Sequence, residues 1–154
     1  MTDESSWYPE GDWGLGFEWY EIVSGETLRQ CDILLGCPVL KIAGRLQWPI
    51  PRAATLPIQF ETYDSIVLTQ SCDLENAKVE DILMAQVIVW PTLVRQELQR
   101  NNQLIKSKNY RKALVDGNTP GQTLLHMHDG EPRLDWSIVS FQRVSVVPNR
   151  QASR

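Results

Sequence analysis

Apolar residues along this chain fall in short runs separated by turn-forming clusters, and one longer stretch breaks that rhythm. The run "CDILLGCPVLKI" (31–42) carries β-branched residues with Gly36-Cys37-Pro38 in its middle, which predicts a bent or bulged strand. The segment 43–57 holds Pro49, Pro51 and Pro57 and reads as a loop. "DSIVLTQ" (64–70) and "DILMAQVIVW" (81–90) are apolar runs with polar flanks, the pattern of buried strands. Between them, "SCDLENAKVE" offers Ser71 or Asp73 as the cap of a helical turn.

Residues 92–115 change character. Helix formers dominate, Pro91 stands just before them and Gly117 just after. Val94, Leu98 and Ile105 share one face at spacings of four and seven, while Asn101 and Asn102 interrupt the middle and allow two shorter helices. Beyond the turn-rich 116–122, "TLLHMH" (123–128) predicts a strand. "LDWSIVSFQRVSVVP" (134–148) predicts one helical turn and a closing strand. The expected architecture is mainly β with a helical insertion: a small SH3-like barrel of about five short strands over 27–148, insertion at 92–115, and a frayed end at 149–154.

The first 26 residues stand apart. They hold seven acids and no Lys or Arg, a charge of −7 set against +3 for the rest of the chain. They also carry Trp7, Trp13, Phe17, Trp19 and Tyr20 among several glycines. Glycine argues against a long helix, and aromatic richness argues against a disordered tail. The segment therefore reads as an arm that docks, with "GFEWYEIV" strand-like at its end. Its seat is either the chain's own body or a protein partner, since Trp and Tyr are favoured interface anchors.

Hydrophobic content of 42% and charged content of 22% place the chain among ordinary folded domains rather than disordered ones. No run approaches the roughly 18 apolar residues of a spanning helix, so no membrane role is expected. The acidic, aromatic start lacks the basic-then-apolar layout of a secretory signal. Together with an odd number of cysteines (Cys31, Cys37, Cys72), that points to the cytoplasm.

Three clusters offer chemistry. Cys72, between Ser71 and Asp73, is open to three readings: nucleophile, metal ligand or turn residue. A nucleophile needs a depressed pKa, and the neighbouring Asp73 works against a thiolate. A metal has ligand types available in the cysteines, His126 and His128, but no CxxC pair or other zinc spacing exists. The turn reading stands first: Gln70, Ser71, Cys72 and Asp73 form a structural turn, with Cys72 packed beneath it. No metal and no cofactor is expected. Six bases, Arg95, Arg100, Lys106, Lys108, Arg111 and Lys112, lie in the helical insertion and would suit a nucleic-acid backbone, or form an ordinary solvated face. "GDWGLG" (11–16) has glycines but neither a preceding strand nor a following Lys-Ser/Thr, so it is no phosphate loop.

The order "QCDILLGCPV", Pro-rich loop, "SIVLTQS", turn-rich gap and "ILMAQVI" resembles the MazF/PemK/Kid toxins over about 60 residues. In particular, "TQSCDL" (69–74) and "LDWSIVSFQRV" (134–144) resemble a group of uncharacterised bacterial MazF-like proteins with a TQ-x-CDL element. The resemblance implies an SH3-like barrel, mostly dimeric ribonucleases of toxin–antitoxin pairs, and a setting in bacterial defence. The family's essential arginine would fall at Tyr63-Asp64 and its catalytic Thr or Ser at Ile88, so neither is kept. The leading expectation is therefore a non-catalytic module that binds a protein partner through the aromatic arm and barrel face. The alternatives are an endoribonuclease with displaced groups (Arg95, Arg100, Thr69 or His126), an RNA- or DNA-binding module using the basic helix, and in either case a possible homodimer.

Overall fold

The bulged run 31–42 forms β1 (Ile33–Ile42) in a computed structural model of the chain, which describes residues 20–25, 27–44, 48–52 and 55–149. β1 pairs antiparallel with β2 (Ile58–Val67), and the register slips between Leu34 and Cys37. Gly36 takes φ +62° at the slip, a left-handed conformation that glycine adopts without a Cβ clash. Its N–H donates to Asp64 Oδ1 at 2.8 Å, which ties the bulge to the partner strand. The expected bulge is there.

β2 starts six residues earlier than the apolar run suggests, and it stops at Val67 rather than Gln70. Residues 58–63 pair along Cys37–Ile42 and are largely exposed, so they carry no buried stripe to read. α1 (Ser71–Glu75) is the expected single helical turn, and it buries Leu74. β3 (Asp81–Val89) runs on into α2 (Trp90–Gln99), whose Pro91 fills an early helical position where a missing N–H costs nothing.

The insertion is broken where the asparagines stand. Asn101 has φ +61°, and the Asn102 side chain accepts from the Leu104 N–H to start a 3-10 turn, Gln103–Lys106. α3 (Lys108–Val115) follows and ends at Gly117, φ +69°. Val94 and Ile105 are buried in one cluster with Trp90, Leu93, Leu114, Trp136, Ile88 and Ile138, and Leu98 packs against it. The helical face expected from spacing is thus the face that packs on the sheet.

β4 is shorter than "TLLHMH": it spans Gln122–Leu125 and leaves His126 and His128 beyond its end. The helical turn expected at 134–136 is absent. Leu134 instead exchanges both backbone hydrogen bonds with His128, and β5 (Ser137–Pro148) begins directly after. "GFEWYEIV" likewise gives no strand over Tyr20–Val23; Glu26 and the arm before Tyr20 lie outside the described residues, as does the end from residue 150.

All five strands form one antiparallel sheet in the order β1-β2-β3-β5-β4, so the fold is mainly β with helical insertions. Ile33 from one edge strand and Leu125 from the other pack against the same cluster of Ile66, Ala85, Val87 and Val139. The sheet is therefore strongly curled, although no ladder joins β1 to β4 among the described residues. No helix of the described residues is long and apolar enough to cross a membrane.

Candidate nucleic-acid interface

The β3–β5 ladder breaks between Ala85 and Gln86, whose partners are Val144 and Ser140. The additional residues Phe141, Gln142 and Arg143 make a bulge, and bulges re-aim side chains. Arg143 is the one that matters. Its guanidinium donates to Gln96 Oε1 of α2 at 2.8 Å and to Gln86 Oε1 of β3 at 3.4 Å, and lies 3.8 Å from Glu97.

Arg143 forms part of the wall of a cleft of about 460 Å³ that also takes in Lys41, Glu61, Tyr63, Gln86, Gln96, Arg100 and Val144. Every strand of this wall comes from β1, β2, β3 or β5, and α2 closes one side. Lys41 hydrogen-bonds Glu61 and stands 5.2 Å from the centre of the Tyr63 ring. That hydrogen bond first, and the Lys41 charge with it, hold the Glu61 carboxyl below the usual carboxylate range. Arg100 caps α2 and pairs with Glu97 at 3.1 Å.

Glu97 is the hub behind the cleft. It meets Arg100 and Arg143 through one oxygen and accepts from Asn102 Nδ2 at 2.8 Å through the other. Burial lowers the pKa of Arg143, the positive charge of Arg100 lowers it further, and Glu97 opposes both. Arginine stays protonated through such shifts. Three cations thus converge on one cleft, with Glu61 on its wall and Glu97 behind it, and two glutamine amides between them.

Of the six bases expected to form a patch, only Arg100 reaches this cleft. Arg95 is exposed on α2 and donates to Thr92. Arg111 lies over Trp90, 6.0 Å from the ring centre, and Lys112 pairs with Asp116 at 2.5 Å. Lys106 and Lys108 are exposed on the 3-10 turn and at the start of α3. The break at Asn101 distributes these bases over three short elements, so no continuous basic helix face forms.

The turn at 70–75 is structural, but not in the expected detail. Cys72 is exposed rather than packed beneath the junction; Leu74 fills that place. Neither Ser71 nor Asp73 caps α1. Ser71 Oγ instead accepts from the Gln30 N–H at 2.9 Å, and Thr69 Oγ1 accepts from the Leu83 N–H at 2.8 Å. The Cys72 thiol has only weak contacts at 3.7 and 3.8 Å to Gln70 and Asp73. A side chain on a five-residue helix projects outward wherever its phase differs from that of the one buried residue.

The alternative catalytic groups do not assemble. Arg100 lies in the cleft, Thr69 beside α1, and His126 beside Trp136 at the far end of the sheet. Ile88, at the position of the family's catalytic hydroxyl, is 3% exposed in the core. Among the described residues no group of three or more His, Cys, Asp or Glu is placed to hold a metal. Trp7, Trp13, Phe17 and Trp19 lie outside the described residues, whereas Tyr20 docks on the body: its hydroxyl donates to His126 O at 2.5 Å.

Lys41, Glu61, Tyr63, Gln86, Gln96 and Arg143 were not legible as a site. Their only sequence signals are Arg143 interrupting the apolar 137–148 run and Tyr63 standing at the family's arginine position. No protein-family model matches the chain, and no curated protein or solved structure is significantly similar to it.

Proposed function

We propose that the chain is a nucleic-acid-binding module that seats the phosphate backbone of single-stranded RNA in the Arg143 cleft. The convergence of Lys41, Arg100 and Arg143 on one concave surface carries this reading. Cations at that spacing neutralise successive phosphates and release their counterions. The Tyr63 ring on the same wall offers a face for base stacking, which double-stranded nucleic acid does not expose. The resemblance to ribonuclease toxins favours RNA as the polymer. Since Ile88 and Asp64 supply no attacking or stabilising group, the reading is binding without cleavage.

The test is fluorescence anisotropy with a labelled single-stranded RNA of mixed sequence, repeated over a salt series. Lys41→Gln with Arg100→Gln removes two exposed cations, so the fold is kept. The double variant should weaken binding at least about tenfold, and each lost phosphate contact should reduce the salt slope by about 0.7. Equal affinity and equal slope would remove the cleft from the account. RNA shortened by the pure wild type would overturn binding without cleavage.

One further observation favours the protein-partner reading. The β1–β2 hairpin exposes the cross-strand pairs Leu40–Phe60 and Ile42–Ile58, and Trp48 beyond them is 79% exposed. Directly opposed residues share one face of a sheet, so these four side chains form a single apolar strip. On this reading a partner docks on the hairpin. Native mass spectrometry of the complex purified from its host should then lose the partner on Leu40→Ser with Phe60→Ser. A partner retained by that variant would place the interface elsewhere.

A further inference from the structure

The gap between the two unpaired edges of the sheet is a second cavity of about 470 Å³, and its wall is apolar. Ile33 of β1 and Leu125 of β4 face into it, with Leu68, Trp136, Val139 and Phe141 around them. It shares no lining residue with the Arg143 cleft. Apolar surface of this kind gains free energy from any apolar group that covers it, at roughly 25 cal/mol per Å².

Tyr20 stands on the rim. Its hydroxyl donates to His126 O, its ring meets His128 edge-on at 5.6 Å, and burial pushes its phenol pKa up. The described N-terminal segment begins here, so 19 residues of chain start at the mouth of the groove. Those residues hold Trp7, Trp13, Phe17 and Trp19, five acids and no base. At about 3.5 Å per extended residue, Phe17 and Trp19 are tethered within about 11 Å of Tyr20. α3, whose end lines the groove through Leu114 and Val115, also carries Lys108, Arg111 and Lys112, a charge complement to the acidic segment.

We infer that this groove is the seat of the chain's own N-terminal segment, residues 1–19, which enters from Tyr20 and places aromatic side chains between the two sheet edges. The occupant is intramolecular. A tethered ligand acts at millimolar effective concentration, so modest apolar contacts keep it seated. The groove and the Arg143 cleft are separate surfaces, and the inference stands whether or not RNA binds.

The experiment is limited digestion of the full chain with a Glu-specific protease, following cuts after Glu10 and Glu18 by mass spectrometry. A synthetic peptide of residues 1–24 serves as the unprotected reference. Where opening is fast, cleavage tracks the population of the open form, so the wild type should be cut at least about tenfold more slowly than the peptide. Phe141→Glu and Leu125→Glu place a charge in the groove and should each restore rapid cutting. Phe141 is 44% exposed, so that variant keeps its fold even where Leu125→Glu does not, and thermal melting checks both. A wild-type rate equal to the peptide's overturns the inference. Protection that survives Phe141→Glu places the segment elsewhere and overturns it too. Protection that disappears on dilution overturns the intramolecular seat in favour of exchange between copies.

Discussion

The two cavities are almost equal in volume, about 460 and 470 Å³, yet one wall carries Lys41, Arg100 and Arg143 and the other Leu125, Trp136 and Phe141. Both exist because the sheet departs from a regular ladder. The polar cleft opens at the bulge opposite Gln86, and the apolar groove opens where β1 and β4 fail to pair. Size alone says nothing about an occupant. What separates them is whether the irregularity falls inside a strand pair, where polar side chains can be turned inward, or between unpaired edges, where core residues are left uncovered.

The comparison is broken most severely at Trp136, which belongs to both the groove wall and the helical core. Trp136→Ala should cost about 3–5 kcal/mol in denaturant unfolding. A loss under about 1 kcal/mol would mean that the groove wall is not continuous with the core. Next comes Arg143→Gln, which should weaken RNA binding about tenfold or more while leaving groove protection of the N-terminal segment unchanged. A variant that altered both would show the cavities to be coupled.

Smaller effects sharpen the groove side. Tyr20→Phe removes one partly buried hydrogen bond and should cost about 0.5–1.5 kcal/mol. The pH dependence follows from the same burial. The folded-state pKa values of Tyr20 and Tyr110 are raised, chiefly by burial, so the folded state holds those protons more tightly than the unfolded one. Their contribution to stability is complete below the ordinary tyrosine pKa and declines as pH rises through the folded values. Alkaline melting should therefore be less steep in Tyr20→Phe and Tyr110→Phe. The smallest effect belongs to Cys72→Ser. An exposed thiol with weak contacts should leave stability within about 0.5 kcal/mol and RNA binding unchanged.

Much of the fold was legible because burial leaves a period. Val94, Leu98 and Ile105 marked the packed helical face, and Gly36 marked the bulge in β1. The outer half of β2 was missed since Ile58 and Phe60 are exposed and mimic no buried run. The 134–136 turn was misread because the exchange of hydrogen bonds between His128 and Leu134 depends on a partner six residues away. The cleft was invisible for a related reason. Lys41, Tyr63, Gln86 and Arg143 come from four different strands, and only pairing register brings them together. Local charge density pointed instead to residues 95–112, where the break at Asn101 scatters the bases.

The bulge in β5 also acts as a phase marker for descent. Before it, Ser137 to Ser140 are all buried; after it, exposure alternates from Val144 onward. Because side chains on a strand alternate faces, loss of one residue between Ser140 and Val144 would invert every position on one side of the bulge relative to the other. A homologue with such a deletion would present its basic residue to the opposite face even if an alignment still matched the arginines. Kinship in this fold is therefore better judged by the count of residues from Ser140 to Val144 than by the identity of the residue at 143.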